Sequence, residues 1–140
     1  MSIRGRKPAE QGVSRNRHAP KHQWTDVEDI PFTGAPKLPS RRSNGKSWSS
    51  TLMQLWAAWS SMPHCRLWSP ADWQFAITTL EVAARFEDNG TAAWGAELRY
   101  RERVLGTTYD ARLGMRIRYV EPAAPEPVSA IRDISEFRNL

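Results

Sequence analysis

Tryptophan is concentrated in one stretch of this chain, since five of its seven tryptophans fall between residues 47 and 89. Each buried aromatic side chain removes roughly 150–250 Å² of surface from water, so rings at this density must pack against other elements. The stretch therefore predicts the core of the fold.

The first half of the stretch predicts an amphipathic helix. Leu52, Leu55, Trp56 and Trp59 follow the i, i+3, i+4, i+7 spacing of one helix face. Pro63 then stops the helix, because proline has no backbone N–H and clashes with the preceding turn.

The second half predicts a longer helix that begins at a capping box. Ser69 can cap the helix, Pro70 suits the first helical position, and Asp72 completes the pattern. The helix should run to about Asp88. Its apolar side chains cover more than one face, which places it either at the centre of its domain or against another subunit.

Two further helices are expected after this one. The third runs from Thr91 to Leu105 and is ended by Gly106. The fourth follows a capping pattern at residues 107–110 and has an apolar side chain at every fourth position: Tyr109, Leu113 and Ile117. The predicted fold class is all-α, with a small core of about four helices that assembles into an oligomer.

The chain divides into four parts by composition. Residues 1–23 are basic and have too few apolar side chains to offset the entropy of ordering, so we expect a disordered arm. Residues 24–46 form a proline-rich strap, which X-Pro steps bias to extended geometry, followed by a basic joint. Residues 47–120 form the helical core and oligomerisation domain. Residues 121–140 form a stiff linker and a docking segment.

Positive charge lies at the front of the chain. Residues 1–46 carry a net charge of +6, residues 47–120 of +1 and residues 121–140 of −2. This asymmetry predicts that the front contacts a polyanion, although a purely solubilising arm would carry the same charges. The side chains expected to neutralise nucleic-acid phosphates are Arg4, Arg6, Lys7, Arg15, Arg17, Lys21, Arg41, Arg42 and Lys46.

Later arginines alternate with carboxylates and predict a solvated, salt-bridged surface in preference to a basic face. They are Arg99, Arg101, Arg103, Arg112, Arg116 and Arg118.

A core of this size predicts oligomerisation. Single cores this small are marginal unless they are stapled or assembled, and the lone Cys65 allows no intrachain disulfide. The residues expected to hold the core or the subunit interfaces are Trp56, Trp59, Trp73 and Phe86.

The C-terminal segment repeats an apolar side chain at every third position, including Ile131, Ile134 and Phe137. Placed behind a stiff linker, such a segment is typical of a peptide that docks in a partner groove. The alternative is a tail that folds back on its own domain.

No catalytic centre, cofactor site or metal site is expected. The chain has no phosphate-binding glycine loop, and the spacing of His18, His22, His64 and Cys65 fits no common zinc pattern. Adjacent residues such as His64 and Cys65 rarely face each other as a nucleophile and its base. Without a membrane-length apolar run or a signal peptide, the protein is expected in the cytoplasm.

The order of several motifs resembles the small terminase subunit of tailed phages that infect actinobacteria. These motifs are the basic arm, the strap from Trp24 to Pro36 with Leu38-Pro39, and then Trp56, Trp59, Met62, Trp68 and Asp72-Trp73. The resemblance covers about residues 4–120.

The resemblance implies a non-enzymatic component of viral genome packaging. Small terminases form homo-oligomeric rings in the host cytoplasm, bind double-stranded viral DNA and deliver it to the large terminase subunit, which carries the ATPase and nuclease. The C-terminal segment would then meet the large terminase. Because the chain lacks a clear N-terminal helix-turn-helix, we expect phosphate and shape contacts to dominate.

Two other functions remain open on the sequence. A small DNA-binding transcriptional regulator would show a sharp preference for one short duplex. A host-directed interaction protein, in which the arm only solubilises the chain, would bind no DNA.

Overall fold

The computed structural model describes residues 23–125 of the 140-residue chain. It is mainly helical, with two short strands at the ends of the described part. In chain order the elements are β1 (Thr25–Glu28), α1 (Ser50–Ser60), a 3₁₀ turn (Pro63–Leu67), α2 (Pro70–Asp88), α3 (Ala92–Leu105), α4 (Tyr109–Met115) and β2 (Ile117–Val120).

The start of α2 follows the capping chemistry that the sequence predicts, whereas α4 is capped by Thr108, one residue later than the predicted pattern. At α2 the backbone N–H of Asp72 donates to Ser69 Oγ at 3.3 Å, and the backbone N–H of Ser69 donates to Asp72 Oδ2 at 2.8 Å. The capping box is therefore confirmed. The Ser49 side chain caps α1 and the Thr91 side chain caps α3, each by accepting from a backbone N–H of the first turn, without the reciprocal acidic partner.

The prediction that Ile117 belongs to the fourth helix is wrong. Helix α4 ends at Met115 because Arg116 adopts a left-handed backbone conformation with φ 57°, which turns the chain out of the helix. Ile117 then begins β2, a run that contains the strand-forming residues Ile117, Tyr119 and Val120.

The two strands pair in parallel and add a small sheet that the all-α prediction lacked. Thr25 lies opposite Ile117 and Glu28 lies opposite Val120. Arg118 donates two hydrogen bonds to the Asp26 carboxylate, at 3.0 and 2.9 Å, across the pair. The sheet therefore joins the strap to the end of the helical part.

The rest of the strap crosses the helical core in an extended form. Phe32, Ala35 and Leu38 pack against buried core residues, and the Phe32 ring stacks on Trp73 with centroids 5.8 Å apart. The indole N–H of Trp48 donates to the carbonyl of Pro39 at 2.8 Å, which fixes the end of the strap near the start of α1.

Helix α2 lies at the centre of the fold. Its Ala76, Leu80 and Ala84 have no measurable exposure and join the cluster formed by α1, the 3₁₀ turn and the end of α3. Trp56, Trp59 and Trp73 are also buried in this cluster. Phe86 lies differently, because 39 % of it is exposed and its ring rests against Gly95 of α3.

Candidate nucleic-acid interface

The basic joint forms a tight turn directly before α1. The backbone N–H of Gly45 donates to the carbonyl of Arg42 at 2.9 Å, and Gly45 has the positive φ of 82° that glycine tolerates best. The Asn44 side chain accepts from the backbone N–H of Lys46 at 3.0 Å. The Asn-Gly pair therefore sets the turn that places Arg41, Arg42 and Lys46 beside the start of α1.

Carboxylates near the end of α2 hold this turn in place. Glu81 accepts from the backbone N–H of Ser43 at 2.7 Å, and Asp88 accepts from Arg42 Nη2 at 2.7 Å. Glu87 accepts from the hydroxyl of Ser49, the N-cap of α1, at 3.0 Å. The three contacts tie the joint and the first turn of α1 to the same end of α2.

Arg42 is a buried member of the joint, since only 7 % of the residue is exposed. Its hydrogen bond to Asp88 raises the pKa of the guanidinium and holds the pKa of the Asp88 carboxyl below its ordinary value. Arg42 Nε is buried with no hydrogen-bond partner within residues 23–125. The Arg42 side chain is placed to orient the turn, and its contact with a phosphate stays a prediction.

Arg41 and Lys46 are the exposed cations of the joint. Both line a cavity of about 470 Å³ together with Ser47 and Ser49. The N-terminus of α1 opens here, and its first turn contains no acidic side chain. Helix N-termini carry a partial positive charge, which adds to the charge of the two exposed cations. Glu87 and Asp88 line the same cavity, and the Ser49 hydroxyl is bonded to Glu87. The Arg41 guanidinium also donates to the carbonyl of Gly45 at 3.2 Å.

The other predicted contact residues lie outside the described part of the chain. For DNA binding these are Arg4, Arg6, Lys7, Arg15, Arg17 and Lys21, and for partner binding they are Ile131, Ile134 and Phe137.

The later arginines are engaged with other side chains of the fold. Arg101 pairs with Glu97 at 2.7 Å and its guanidinium lies over the Phe75 ring. Arg103 reaches Asp110 at 3.9 Å, and Arg118 pairs with Asp26. The predicted salt-bridged surface is confirmed for these three residues.

His64 is the other notable polar group, and it is 99 % buried. Its Nε2 lies 2.7 Å from the carbonyl of Leu105, which can only accept, so Nε2 carries the proton and donates. The neutral ring then accepts at Nδ1 from the Tyr119 hydroxyl at 2.6 Å. Both nitrogens are occupied, and the ring links the 3₁₀ turn, the end of α3 and β2.

Cys65 also has a structural environment. Its thiol donates to the carbonyl of Trp59 at 3.1 Å, and burial raises its pKa to about 12. The thiol therefore stays protonated at neutral pH and is a poor nucleophile. Within residues 23–125 no three His, Cys, Asp or Glu side chains are grouped closely enough to hold a metal ion.

Sequence reasoning identified the basic joint but missed the carboxylates that hold it. Glu81, Glu87 and Asp88 contact residues 38 to 46 positions away in the chain. Local spacing carries no signal for contacts at this separation, and only the packing of α1 on α2 brings the groups together.

The fold and the basic joint define a small, mainly helical protein whose described residues place two exposed cations, Arg41 and Lys46, beside the start of α1. A model of the family described as phage terminase small subunit matches residues 3–140. The chain therefore belongs to the phage terminase small subunit family, as its motifs predicted. No curated protein and no solved structure matches it. None of the helices within residues 23–125 has the length and apolarity needed to cross a membrane.

Proposed function

We propose that this protein binds viral double-stranded DNA and delivers it to the large terminase subunit for packaging into the capsid. The observation that carries the proposal is the family match over nearly the whole chain. The exposed pair Arg41 and Lys46 at the N-terminus of α1 supplies a chemically suitable DNA contact.

The contact at the joint is with the sugar-phosphate backbone. Arg41 and Lys46 neutralise phosphate charge, and the dipole of α1 favours the same anion. Arg42 acts indirectly, because its bond to Asp88 fixes the turn that carries the other two cations. The basic side chains of residues 1–23 add further phosphate contacts, which contribute affinity without base specificity.

The parallel sheet separates the two ends of the described chain. Since β1 and β2 run in the same direction, residues before Thr25 and residues after Val120 leave from opposite ends of the pair. Four residues of strand span roughly 13 Å. This arrangement favours a division of labour in which the basic front contacts DNA and Ile131, Ile134 and Phe137 contact the large terminase.

The protein itself does no catalysis in this proposal, because terminase small subunits are generally non-catalytic and the ATPase belongs to the large subunit. It acts in the host cytoplasm as a homo-oligomeric ring. A ring presents many copies of the basic joint to one DNA molecule, so weak phosphate contacts add up through multivalency.

The proposal is tested by measuring the affinity of the full chain for a duplex of viral DNA by fluorescence anisotropy at fixed, low salt. The variant Arg41→Ala/Lys46→Ala removes the two exposed cations of the joint. The matched control Lys37→Ala/Arg66→Ala also removes one lysine and one arginine, both exposed and outside the joint.

We expect the joint variant to bind at least tenfold more weakly than the control. If the two variants lose DNA affinity equally, the loss follows from net charge alone and the joint is not part of the DNA interface. No DNA binding by the unmodified protein would overturn the proposed function.

A further inference from the structure

A small cavity of about 140 Å³ lies between α4 and β2, beside the start of β1. Tyr109 and Leu113 line it from α4, since positions four apart lie on one helix face. Ile117 and Tyr119 line it from β2, where alternate residues share a face. Trp24, the residue before β1, completes this largely aromatic lining. We refer to this cavity as the aromatic pocket.

Two arginines add positive charge to the aromatic pocket. Arg118 donates to both oxygens of the Asp26 carboxylate, so its charge is matched. Arg112 lies over the Tyr119 ring, with 4.7 Å between the guanidinium carbon and the ring centroid, and it donates to the carbonyl of Gly106. Neither contact supplies a negative charge. Arg112 is therefore a half-buried cation that forms no ion pair with a carboxylate of residues 23–125.

The carboxylates near the pocket do not cancel this charge. None of them is among the residues that line the cavity. Asp110, at the start of α4, lies 3.9 Å from Arg103. Burial raises the pKa of the Tyr119 hydroxyl, and the Arg112 charge opposes that rise more strongly than Asp29 adds to it. At the Tyr119 ring Arg112 therefore outweighs Asp29, and the charge there favours an anion.

The size and the lining of the pocket favour a single ring. Sites for drug-sized ligands enclose roughly 300–1,000 Å³, so a cavity of about 140 Å³ takes one nucleobase or one amino-acid side chain and no duplex. Aromatic side chains stack on any base, and a guanidinium binds the phosphate beside it. An unpaired base with its phosphate therefore matches both the rings and the cation of the pocket.

The position of the pocket along the chain favours a nucleic acid over a protein side chain. Trp24 directly follows residues 1–23, which contain six Lys/Arg and one Glu. Basic side chains of this kind contact phosphates along a strand without reading its sequence. A strand whose phosphates are bound by residues 1–23 is thereby held close to Trp24 and to the pocket.

We propose that the aromatic pocket binds one unstacked base of single-stranded DNA and that Arg112 binds the adjoining phosphate. The base stacks on Tyr109 and Trp24, and the Tyr119 ring forms the wall that carries Arg112. The inference rests on the proposed DNA-binding function and adds a second kind of contact to it. The joint and the arm bind phosphates of a duplex, whereas the pocket requires an unpaired stretch, such as the one at a single-stranded DNA end.

The test measures the affinity of the full chain for three labelled DNA probes by fluorescence anisotropy. They are a thymidine oligonucleotide of about ten nucleotides, an abasic strand of the same length, and a duplex of the same length. The abasic strand keeps the phosphates and lacks the bases. Tyr109→Ser removes a ring of the pocket. Tyr100→Ser is the matched control, because Tyr100 is 64 % exposed, Tyr109 is 60 % exposed, and Tyr100 lies on α3 outside the pocket.

We expect the unmodified chain and Tyr100→Ser to bind the thymidine strand about 5–150-fold more tightly than the abasic strand, the range that stacking of one base supports. Tyr109→Ser should lose this preference and keep its affinity for the duplex. Circular dichroism checks that both variants keep their helical content. The comparison of the two strands on the unmodified chain tests the pocket even if a variant fails to fold.

Equal affinity of the unmodified chain for the two strands would overturn the inference, and so would an equal loss of preference in the two tyrosine variants. If free thymidine monophosphate displaces the strand completely at an equal concentration of nucleotide, the pocket takes a mononucleotide instead. If Tyr109→Ser keeps the preference but no longer co-purifies with the large terminase, the pocket holds a protein side chain. Duplex binding without a preference for bases would refute the pocket alone, whereas no binding to any probe would refute the proposed function as well.

Discussion

His64 stabilises the fold through two hydrogen bonds that require the neutral ring. Its Nε2 donates to Leu105 and its Nδ1 accepts from Tyr119, so a second proton on the ring would leave the Tyr119 hydroxyl without its acceptor. Burial lowers the pKa of His64, the bond to Leu105 opposes that shift, and the nearby Arg112 charge adds to it. Arg112 itself lies over the Tyr119 ring and donates to the carbonyl of Gly106.

This lowered pKa predicts a stability that falls in acid. The unfolded chain binds a proton at His64 near the ordinary histidine pKa of about 6.5, while the folded chain resists it. The contribution of neutral His64 to the free energy of unfolding is therefore complete above a pH of about 6.5. It is lost as the pH falls through the lower pKa that His64 has in the folded chain. Urea unfolding at the two pH values should show a lower free energy of unfolding at pH 5.5 than at pH 7.5.

The control is His64→Gln, which keeps one donor and one acceptor but does not titrate. The free energy of unfolding of this variant should change less with pH than that of the unmodified protein. The two pH slopes should differ by up to about 1.4 kcal/mol per pH unit, the limit for one proton. Equal pH slopes for the variant and the unmodified protein would show that His64 does not titrate differently on folding.

At the scale of the elements, local chemistry explains what the sequence could predict. Helix α2 was predicted because Ser69, Pro70 and Asp72 are a capping signal contained in four residues. Strand β2 was missed because its partner lies 92 positions earlier and nothing near Arg116 marks its left-handed conformation. The basic joint was visible as a charge cluster, but the burial of Arg42 depends on Asp88, which only packing brings close.

The end of α3 gives a prediction with a control inside the same chain. Gly106 has φ 72°, and an added Cβ would lie 3.0 Å from Met115 Sδ and 3.1 Å from His64 Nε2. Gly106→Ala should lower the free energy of unfolding by about 1–2 kcal/mol, because L-residues are strained in this region.

Gly114 lies within α4, where an added Cβ would meet nothing within 4 Å. Gly114→Ala should raise the free energy of unfolding by roughly 0.5–1 kcal/mol, the usual gain of alanine over glycine in a helix. Urea unfolding of both variants checks the pair. Changes of the same sign would contradict the conformational assignment of the two positions.

For the whole molecule, the proposed division of labour predicts that DNA binding and large-subunit binding are separable. The described chain enters β1 and leaves β2 at opposite ends of the strand pair. A protein built in this manner can bind DNA at the basic front while its C-terminal segment remains available to a partner.

The triple variant Ile131→Ser/Ile134→Ser/Phe137→Ser tests this separation. It should lose co-purification with the large terminase and keep its DNA affinity within twofold, because it removes apolar docking groups and no charge. The joint variant Arg41→Ala/Lys46→Ala serves as the converse control and should keep the large subunit. A loss of DNA affinity in the triple variant would contradict the division of labour.

This small terminase subunit is proposed to hold viral DNA mainly through phosphate contacts, and the salt dependence of binding measures the share of those contacts. Affinity of the full chain for a viral duplex should be measured between 50 and 200 mM salt. A protein with 6–10 phosphate contacts should lose affinity by about 10³–10⁵-fold over this range. An affinity that barely changes would contradict binding through phosphates, because the cations of the arm and of the joint would then have no part in holding DNA.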